Sequence, residues 1–241
     1  MYVSSELTHF VGRSAKDDEE AYGRLLSIIG DGWLLPHSAR LRNQRAENMF
    51  ALRMQPAVPL STNERFLPEM VCFADIPDTD LEIHTGKYGR FGLAFSKSFL
   101  APKGARPVLY VPHQATTQPL ARHNDIRREW DELAQLFPDE VDPKFGGRTR
   151  SEHIARHPLE GEGPAERIAD WVSHDLLAYV KFFDAALPAD HEENFYMERE
   201  WRTVRSVRFL AADVTRVYVA SGYEQRLGSD VPGLAGRVRG I

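Results

Sequence analysis

The stretch Met70–Pro77 (MVCFADIP) restricts the fold more than any other part of the chain. It is short and almost wholly apolar, which is typical of a strand that is buried on both faces. The sheet that contains it must therefore be covered on both sides. Composition and turn signals predict further strands at Glu6–Gly12, Leu93–Ser96, Val108–Val111, Glu200–Val204, Val207–Leu210 and Val214–Ala220.

Apolar stripes at helical spacing lie between these strands. A first helix is expected to begin at the acidic run 17–20 and to end near Gly30. A second apolar stripe passes through Ile126 and Phe137 and predicts another helix. The strongest helical pattern covers Ala165–Leu187. This order of elements predicts an α+β fold with a mixed or mostly antiparallel sheet, rather than a doubly wound repeat of strands and helices.

The domain prediction is a single domain over residues 1–241. Residues 113–190 would be a helical insertion within it, and the glycine-rich residues 221–241 would be a loose C-terminal tail. Within the insertion, residues 139–164 combine glycine with many charges. We expect them to be the most mobile internal segment, because long irregular loops are often binding loops or lids.

Charge and cysteine content narrow the functional classes. The net charge of −5 argues against a broadly basic surface for nucleic-acid binding. It does not exclude a local basic groove, because the chain contains many arginines and arginine pairs well with phosphate. Cys72 is the single cysteine, which excludes an intramolecular disulfide and a cysteine-based zinc site. The chain lacks an apolar run of the roughly 20 residues that cross a bilayer, and its start lacks signal-peptide features. We therefore expect a cytoplasmic protein without membrane contact.

Familiar catalytic motifs are missing. There is no glycine-rich dinucleotide or phosphate loop and no nucleophile elbow. His153 and His157 have the helical spacing of two zinc ligands, but the neighbouring sequence offers no obvious third ligand. The prediction is accordingly that the protein has no metal site.

The segment Tyr196–Val204 (YMEREWRTV) carries two carboxylates, Glu198 and Glu200, two residues apart. On a strand both would project from one face, where like charges repel and add no packing. If that face lines a cleft, one carboxylate could stabilise a developing cation while the other steers protons. The alternative is an exposed edge strand whose charges discourage aggregation.

Polar and aromatic residues elsewhere extend this hypothesis. Cleavage of a nicotinamide–ribose bond needs a group that orients the ribose, an aromatic surface for the nicotinamide ring and a carboxylate near the oxocarbenium-like centre. His9, Tyr88 and Glu200 are candidates for these three roles, with Ser96 beside them on a middle strand. Each of these residues also has an ordinary structural role open to it, as a strand end, a loop anchor or a cap.

A family resemblance is carried by five segments: LTHFVGR, MVCFADIP, KYGRFGLAFSKSFL, RPVLYVP and EREWRTV. Together they resemble the AbiGi-type abortive phage-resistance family, from about Leu7 to Tyr218. The resemblance implies a bacterial phage-defence protein that serves as the antitoxin of a two-gene system.

More distantly, the chain is similar to ADP-ribosyltransferase-type domains. In that resemblance Glu200 matches the late catalytic glutamate, Glu198 completes the E-x-E form of the motif, and His9 matches the first-strand histidine. Phe95 and Ser96 are similar to the serine strand of a related group. The resemblance implies an ADP-ribosyltransferase-like fold that uses NAD as substrate, with His9, Tyr88, Phe95 and Ser96 around the cofactor.

Two functions are therefore open. One is an NAD-dependent ADP-ribosyltransferase that modifies nucleic acid or protein in an infected cell. The other is a non-catalytic antitoxin that binds and restrains a cognate toxin. An adjacent nucleotidyltransferase-like toxin gene would favour the second function, whereas a solitary gene or a neighbouring macrodomain hydrolase would favour the first.

Overall fold

A computed structural model describes residues 4–13, 15–36, 52–54, 66–68, 70–77, 80–112, 141–142, 148–149, 176–188, 191 and 194–241. The chain divides into two compact units. Unit 1 comprises Met1–Pro36, Met70–Pro107 and Glu198–Ile241, and unit 2 comprises His37–Glu69 and Val108–Met197. The predicted insertion, residues 113–190, lies within unit 2.

The described strands are, in chain order, β1 Glu6–Phe10, β2 Trp33–Leu34, β3 Leu52–Met54, β4 Phe66–Pro68, β5 Val71–Ala74, β6 Gly92–Ser96, β7 Arg106–Pro107, β8 Leu109–Pro112, β9 Val141–Asp142, β10 Arg148–Thr149, β11 Val180–Phe183, β12 Glu200–Thr203, β13 Val207–Arg208, β14 Val214–Val219 and β15 Val238–Gly240. The described α-helices are α1 Asp18–Asp31, α2 Leu81–Tyr88, α3 Lys97–Leu100 and α4 Glu224–Asp230. Short 3₁₀ helices cover Ala101–Lys103, Leu177–Tyr179, Phe195–Glu198, Ala211–Asp213 and Pro232–Arg237.

Unit 1 is built on a seven-stranded sheet in the order β15-β14-β6-β1-β5-β12-β7. β14 and β15 are parallel, whereas the other neighbouring strands are antiparallel. The α+β class and the mixed sheet predicted from the sequence are therefore confirmed. The hydrophobic stretch that restricts the fold supplies β5, which pairs with β1 on one side and β12 on the other.

One face of the sheet, named here the α1 face, packs against α1. The helix begins where the Asp17 side chain accepts a hydrogen bond from the Glu20 N–H, and it ends at Gly32 in the left-handed conformation. Its buried side chains share one core cluster with strand residues of this face: Ala21, Tyr22, Leu25 and Ile28 from the helix, with Leu7, Phe73, Leu93 and Phe95 from the sheet. This burial fixes the register of the central strands.

The opposite face, named here the α2 face, carries a smaller apolar cluster of Ala74, Ile76, Leu81, Ala94 and Tyr218. Both faces of β5 are thus covered in part, as its composition predicts. Cys72 differs, because it lies in the middle of β5 and is exposed.

The C-terminal residues 221–241, for which the sequence predicts a loose tail, contain α4, a 3₁₀ helix and β15. The strand β15 pairs with β14, in register Val217↔Val238. The Arg237 guanidinium donates to the carbonyl oxygens of Ala211 at 2.7 Å and Val214 at 2.5 Å. This segment therefore completes the sheet.

In unit 2 the predicted helix Ala165–Leu187 is wrong from residue 177 onward. Leu177–Tyr179 is a 3₁₀ helix and Val180–Phe183 is the strand β11, which pairs in parallel with β8. The apolar spacing suited a helix, but the β-branched and aromatic residues of β11 favour a strand once a partner strand is available. Residues 165–175 of the predicted helix lie outside the described residues.

Several predictions for unit 2 also fall outside them. These are the helix through Ile126 and Phe137, the pair His153 and His157, and most of the segment 139–164. The described parts of that segment, β9 and β10, pair as an antiparallel two-stranded sheet. No helix among the described residues is long and apolar enough to cross a membrane.

A close backbone contact joins the loops that follow β1 and α2. A Cβ built on Gly12 would lie 2.9 Å from both Gly89 Cα and Tyr88 O, and one built on Gly89 would lie 2.8 Å from Gly12 Cα. Gly89 also has φ +83°, a conformation that L side chains rarely adopt. Only glycine fits this contact, which holds the C-terminal end of α2 against the sheet.

We predict that Gly89→Ala lowers the free energy of unfolding by about 2 kcal/mol or more, since it adds a backbone clash to an unfavourable φ. The control is Gly23→Ala, an exposed position in α1 where a Cβ meets nothing within 4 Å. This change should be neutral or stabilise by up to about 1 kcal/mol. Urea unfolding measures both, and an equal response of the two variants would contradict the prediction.

Candidate functional site

The sequence analysis expected the two carboxylates of the E-x-E segment to share one face of a strand, but in the structure they do not. Glu198 ends a 3₁₀ helix, Arg199 follows with φ +45°, and β12 begins at Glu200. The left-handed residue breaks the alternation that would align the two side chains. Both are nevertheless buried, with 5% of Glu198 and 6% of Glu200 exposed. The alternative of an exposed edge strand therefore does not fit either, because β12 is paired on both sides.

Glu200 forms a buried ion pair with Arg202. The two residues are two positions apart along β12, so both project from the α2 face, where they lie opposite Ala74 and Cys72. The Arg202 Nε donates to Glu200 Oε1 at 2.8 Å, and its terminal nitrogen donates to Oε2 at 3.1 Å. Arg202 is only 8% exposed. Both carboxylate oxygens are thus held by one guanidinium in a bidentate, charge-assisted contact.

Glu198 accepts a short hydrogen bond from the hydroxyl of Tyr88, at the end of α2. Burial raises the pKa of the Tyr88 hydroxyl far above its ordinary value, and the negative charge of Glu198 raises it further. Tyr88 therefore remains a protonated donor. The Arg13 guanidinium lies 5.4 Å from the centre of the Tyr88 ring, where it adds a cation–π contact.

A third buried carboxylate, Asp75, lies just after β5. Its Oδ2 accepts from Lys97 Nζ at 2.7 Å, and its Oδ1 accepts from the Ser4 N–H at 3.2 Å. The Arg199 guanidinium approaches the same Oδ2 at 3.8 Å. Asp75 is thus paired with cations. Within the part of the chain that the structure describes, no group of three or more His, Cys, Asp or Glu residues is placed to hold a metal ion.

The structure does not bring His9 together with Glu200. In the register of the sheet, His9 lies opposite Leu93 on the α1 face, whereas Glu200 lies opposite Ala74 on the α2 face. The His9 ring packs edge-on against Phe73 at 5.9 Å, and its Nδ1–H donates to the Cys72 carbonyl at 2.9 Å. The two residues, which the sequence analysis assigned to one cofactor site, therefore lie on opposite faces, because an odd offset in register separates them.

The other predicted cofactor residues have structural contacts. The Ser96 hydroxyl accepts from the Phe99 N–H at 3.2 Å and so caps α3, and it lies 3.0 Å from the Ser98 hydroxyl. Phe95 is fully buried in the core, with its ring 5.2 Å from that of Phe209. Of the predicted set, Tyr88 and Glu198 are joined by a hydrogen bond. The predicted roles of these residues toward a ligand stay predictions.

His84 is a feature that sequence reasoning missed. It is 3% exposed on α2, and its ring stacks on that of Tyr88 at 6.0 Å. Neither ring nitrogen has a hydrogen-bond partner within the described part of the chain. Burial lowers the pKa of His84 to about 4, with a further contribution from the charge of Lys87. The spacing Leu81, His84 and Tyr88 along one helical face was the available signal.

We predict that Arg202→Met lowers the free energy of unfolding by about 3–5 kcal/mol, because it leaves Glu200 buried without its cation. The double variant Glu200→Met/Arg202→Met should recover most of that loss. The control is Arg90→Met, whose exposed pair with Asp18 (2.6 Å) should contribute less than about 1 kcal/mol. Urea unfolding of the single and double variants measures the coupling energy between Glu200 and Arg202. If the loss of stability in the double variant equals the sum of the losses in the two single variants, the prediction is contradicted.

We also predict that acid destabilises the protein through His84. Its folded pKa of about 4 lies below the ordinary 6.5, so the unfolded chain binds the proton first as the pH falls. Between pH 7 and pH 4.5 the wild type should lose about 2 kcal/mol more stability than His84→Leu. Urea unfolding at both pH values tests this. A parallel pH dependence of the two proteins would show that His84 has no such role.

One comparison with known proteins gives a match. The family model described as "Putative abortive phage resistance protein AbiGi, antitoxin" matches residues 53–225, well over half of the chain. The match includes Tyr88, Glu198, Glu200 and Arg202 and begins after His9. No curated protein and no solved structure matches the chain. The resemblance inferred from sequence segments is confirmed, and the chain belongs to the AbiGi family of abortive phage-resistance proteins.

Proposed function

We propose that this protein is the antitoxin of an abortive-infection pair and that it acts by binding a cognate toxin. The family to which the chain belongs is described as a phage-resistance antitoxin. An antitoxin of this kind needs a stable scaffold and an interaction surface, and it needs no catalytic carboxylate. The proposal therefore depends on whether the buried acidic residues are arranged for chemistry or for stability.

The observation that carries the proposal is the bidentate pair of Glu200 and Arg202. A catalytic carboxylate stabilises a developing oxocarbenium ion through its uncompensated negative charge. Here a guanidinium lies within hydrogen-bond distance of both oxygens, in a site from which water is largely excluded. Its positive charge would oppose a second cation at the same carboxylate. This arrangement favours a structural role for Glu200.

The position of His9 supports the same conclusion. A ribose-orienting group and the catalytic carboxylate must contact one substrate. His9 and Glu200 project from opposite faces of the sheet, and the His9 Nδ1–H is bonded to the backbone of β5. This placement supports a binding role over NAD chemistry at a site shared by His9 and Glu200.

The second candidate is an NAD-dependent ADP-ribosyltransferase acting on nucleic acid or protein, with an ADP-ribosyltransferase-like fold. The observation that favours it is the contact of Tyr88 with Glu198, which joins an aromatic ring to a buried carboxylate beside Glu200. In this hypothesis Tyr88 stacks the nicotinamide ring and Glu198 and Glu200 form the E-x-E pair, while the roles of His9, Phe95 and Ser96 toward the cofactor stay predictions.

Expression in a bacterial host tests the two candidates directly. With a cognate toxin induced, co-expression of this protein should restore growth, whereas expression of this protein alone should not slow growth. NAD added to the purified protein should leave its melting temperature unchanged. A site that binds NAD would instead gain roughly 2.7 kcal/mol at a hundred times the dissociation constant, a shift of about 5–10 °C.

The opposite pattern would support the transferase. Toxicity of the protein alone, NAD consumption and a thermal shift should then occur together, and Glu200→Gln should abolish the toxicity and the NAD consumption. The melting temperature of that variant without NAD serves as the control for folding. Failure to neutralise the toxin, with no effect of NAD, would contradict both candidates.

A further inference from the structure

Unit 2 presents an aromatic cluster on one face of the parallel pair β8 and β11. Residues paired in register project from the same face, and so do residues two positions apart along one strand. Tyr110, which pairs with Lys181, therefore shares a face with Lys181 and Phe183. The 3₁₀ helix Phe195–Glu198 brings Tyr196 onto this face. The Tyr196 ring stacks on Phe183 at 5.1 Å and meets Tyr110 edge-on at 5.4 Å. We name these three rings the Tyr196 cluster.

The Tyr196 cluster is open to solvent at its centre. Tyr196 is 54% exposed, and the next residue, Met197, is 38% exposed. Leu109, Leu176 and Leu210 are also exposed among the described residues, but Tyr196 and Met197 are the two that adjoin each other in the chain. Tyrosine and methionine are enriched at protein–protein interfaces, and tyrosine supplies contact area at low cost in conformational entropy.

The cluster is held rigidly by polar contacts beneath it. Asn194 is buried, and its side-chain amide donates to the carbonyl oxygens of Leu187 at 3.1 Å and Pro188 at 2.9 Å. Its Oδ1 accepts from the Tyr196 N–H at 3.3 Å. Lys181 Nζ lies 4.4 Å above the Phe195 ring. The turn that presents Tyr196 is therefore ordered before a partner arrives, which lowers the entropy cost of binding.

Charge decides which class of partner fits. Unit 2 contains 14 Lys and Arg against 20 Asp and Glu, a net charge of −6, whereas unit 1 contains 16 against 15, a net charge of +1. Exposed aromatic rings can stack nucleic-acid bases, but such surfaces also carry positive charge for the phosphates. An acidic unit repels phosphates and attracts a basic protein surface.

From the rings, their support and the charge of the unit, we infer that the Tyr196 cluster is the docking surface for the cognate toxin. The partner it fits is a basic protein with an apolar pocket for Tyr196. This inference rests on the proposed antitoxin function and adds to it the surface that performs it. Tyr196 is the expected anchor, because exposed aromatic residues in rigid surroundings dominate binding energy at interfaces.

The test is calorimetric titration of this protein with its purified cognate toxin. Tyr196→Ala should raise the Kd by about 10- to 100-fold. The loss of its two ring contacts should lower the melting temperature by only a few degrees. Tyr196→Phe keeps the ring and should bind like the wild type. The matched control is Leu210→Ala in unit 1, where a side chain that is 66% exposed should be removed without effect. Raising the salt concentration should raise the Kd, because it screens the attraction between the acidic unit and a basic partner.

The outcomes separate this inference from the function on which it rests. Wild-type binding with an unaffected Tyr196→Ala variant would overturn the docking surface and leave the antitoxin function in place. An equal loss in Leu210→Ala would overturn it too. No toxin binding by the wild type would contradict the antitoxin function itself. Tight binding of a fluorescent single-stranded RNA that Tyr196→Ala abolishes would assign the cluster to nucleic acid and overturn the inference.

Discussion

The pairing of β5 with both β1 and β12 is the constraint on which the rest of unit 1 depends. It joins the first strand of the chain to the strand that follows the E-x-E segment, although about 190 residues separate them. Its register decides which side chains meet. Phe73 goes to the α1 face with His9, and Ala74 goes to the α2 face with Glu200. The two faces consequently have different chemistry, one a large apolar core and the other a mixture of apolar and paired charged groups.

The charged groups of the α2 face are balanced locally. Glu200 is paired with Arg202, Asp75 with Lys97, and Glu198 accepts a hydrogen bond from the Tyr88 hydroxyl. Buried charges of this kind persist when each has a partner, because an unpaired one costs several kcal/mol. Replacing both members of such a pair by apolar residues is often neutral, whereas removing one member is strongly destabilising. The arrangement is therefore well suited to hold α2 and β12 in one register.

Much of the architecture of unit 1 could be predicted from the sequence. The apolar run of β5, the acidic start of α1 and the glycine at its end are local signals that the fold obeys. The faces of His9 and Glu200 could not be predicted, because register depends on pairing between distant strands. The left-handed conformation of Arg199 could not be predicted either, because it is uncommon for arginine and the composition does not indicate it. In unit 2, the apolar spacing up to Phe183 predicted a helix, and the strand β11 forms there with β8 as its partner, a pairing between distant segments that spacing does not reveal.

The division of unit 1 into three stretches of sequence has a consequence for how the protein is made. Its sheet needs β1, β5 and β6 from the first two stretches and β12, β14 and β15 from the third. All of unit 2 is synthesised before the third stretch begins. Until the third stretch has been synthesised, β5 and β6 therefore each have one unpaired edge. Exposed strand edges and apolar faces can associate with other chains during this time. The residues around Tyr196 have all been synthesised before the last strands of this sheet are available. During translation, the region that we assign to toxin recognition is thus made before the sheet of unit 1 can form completely.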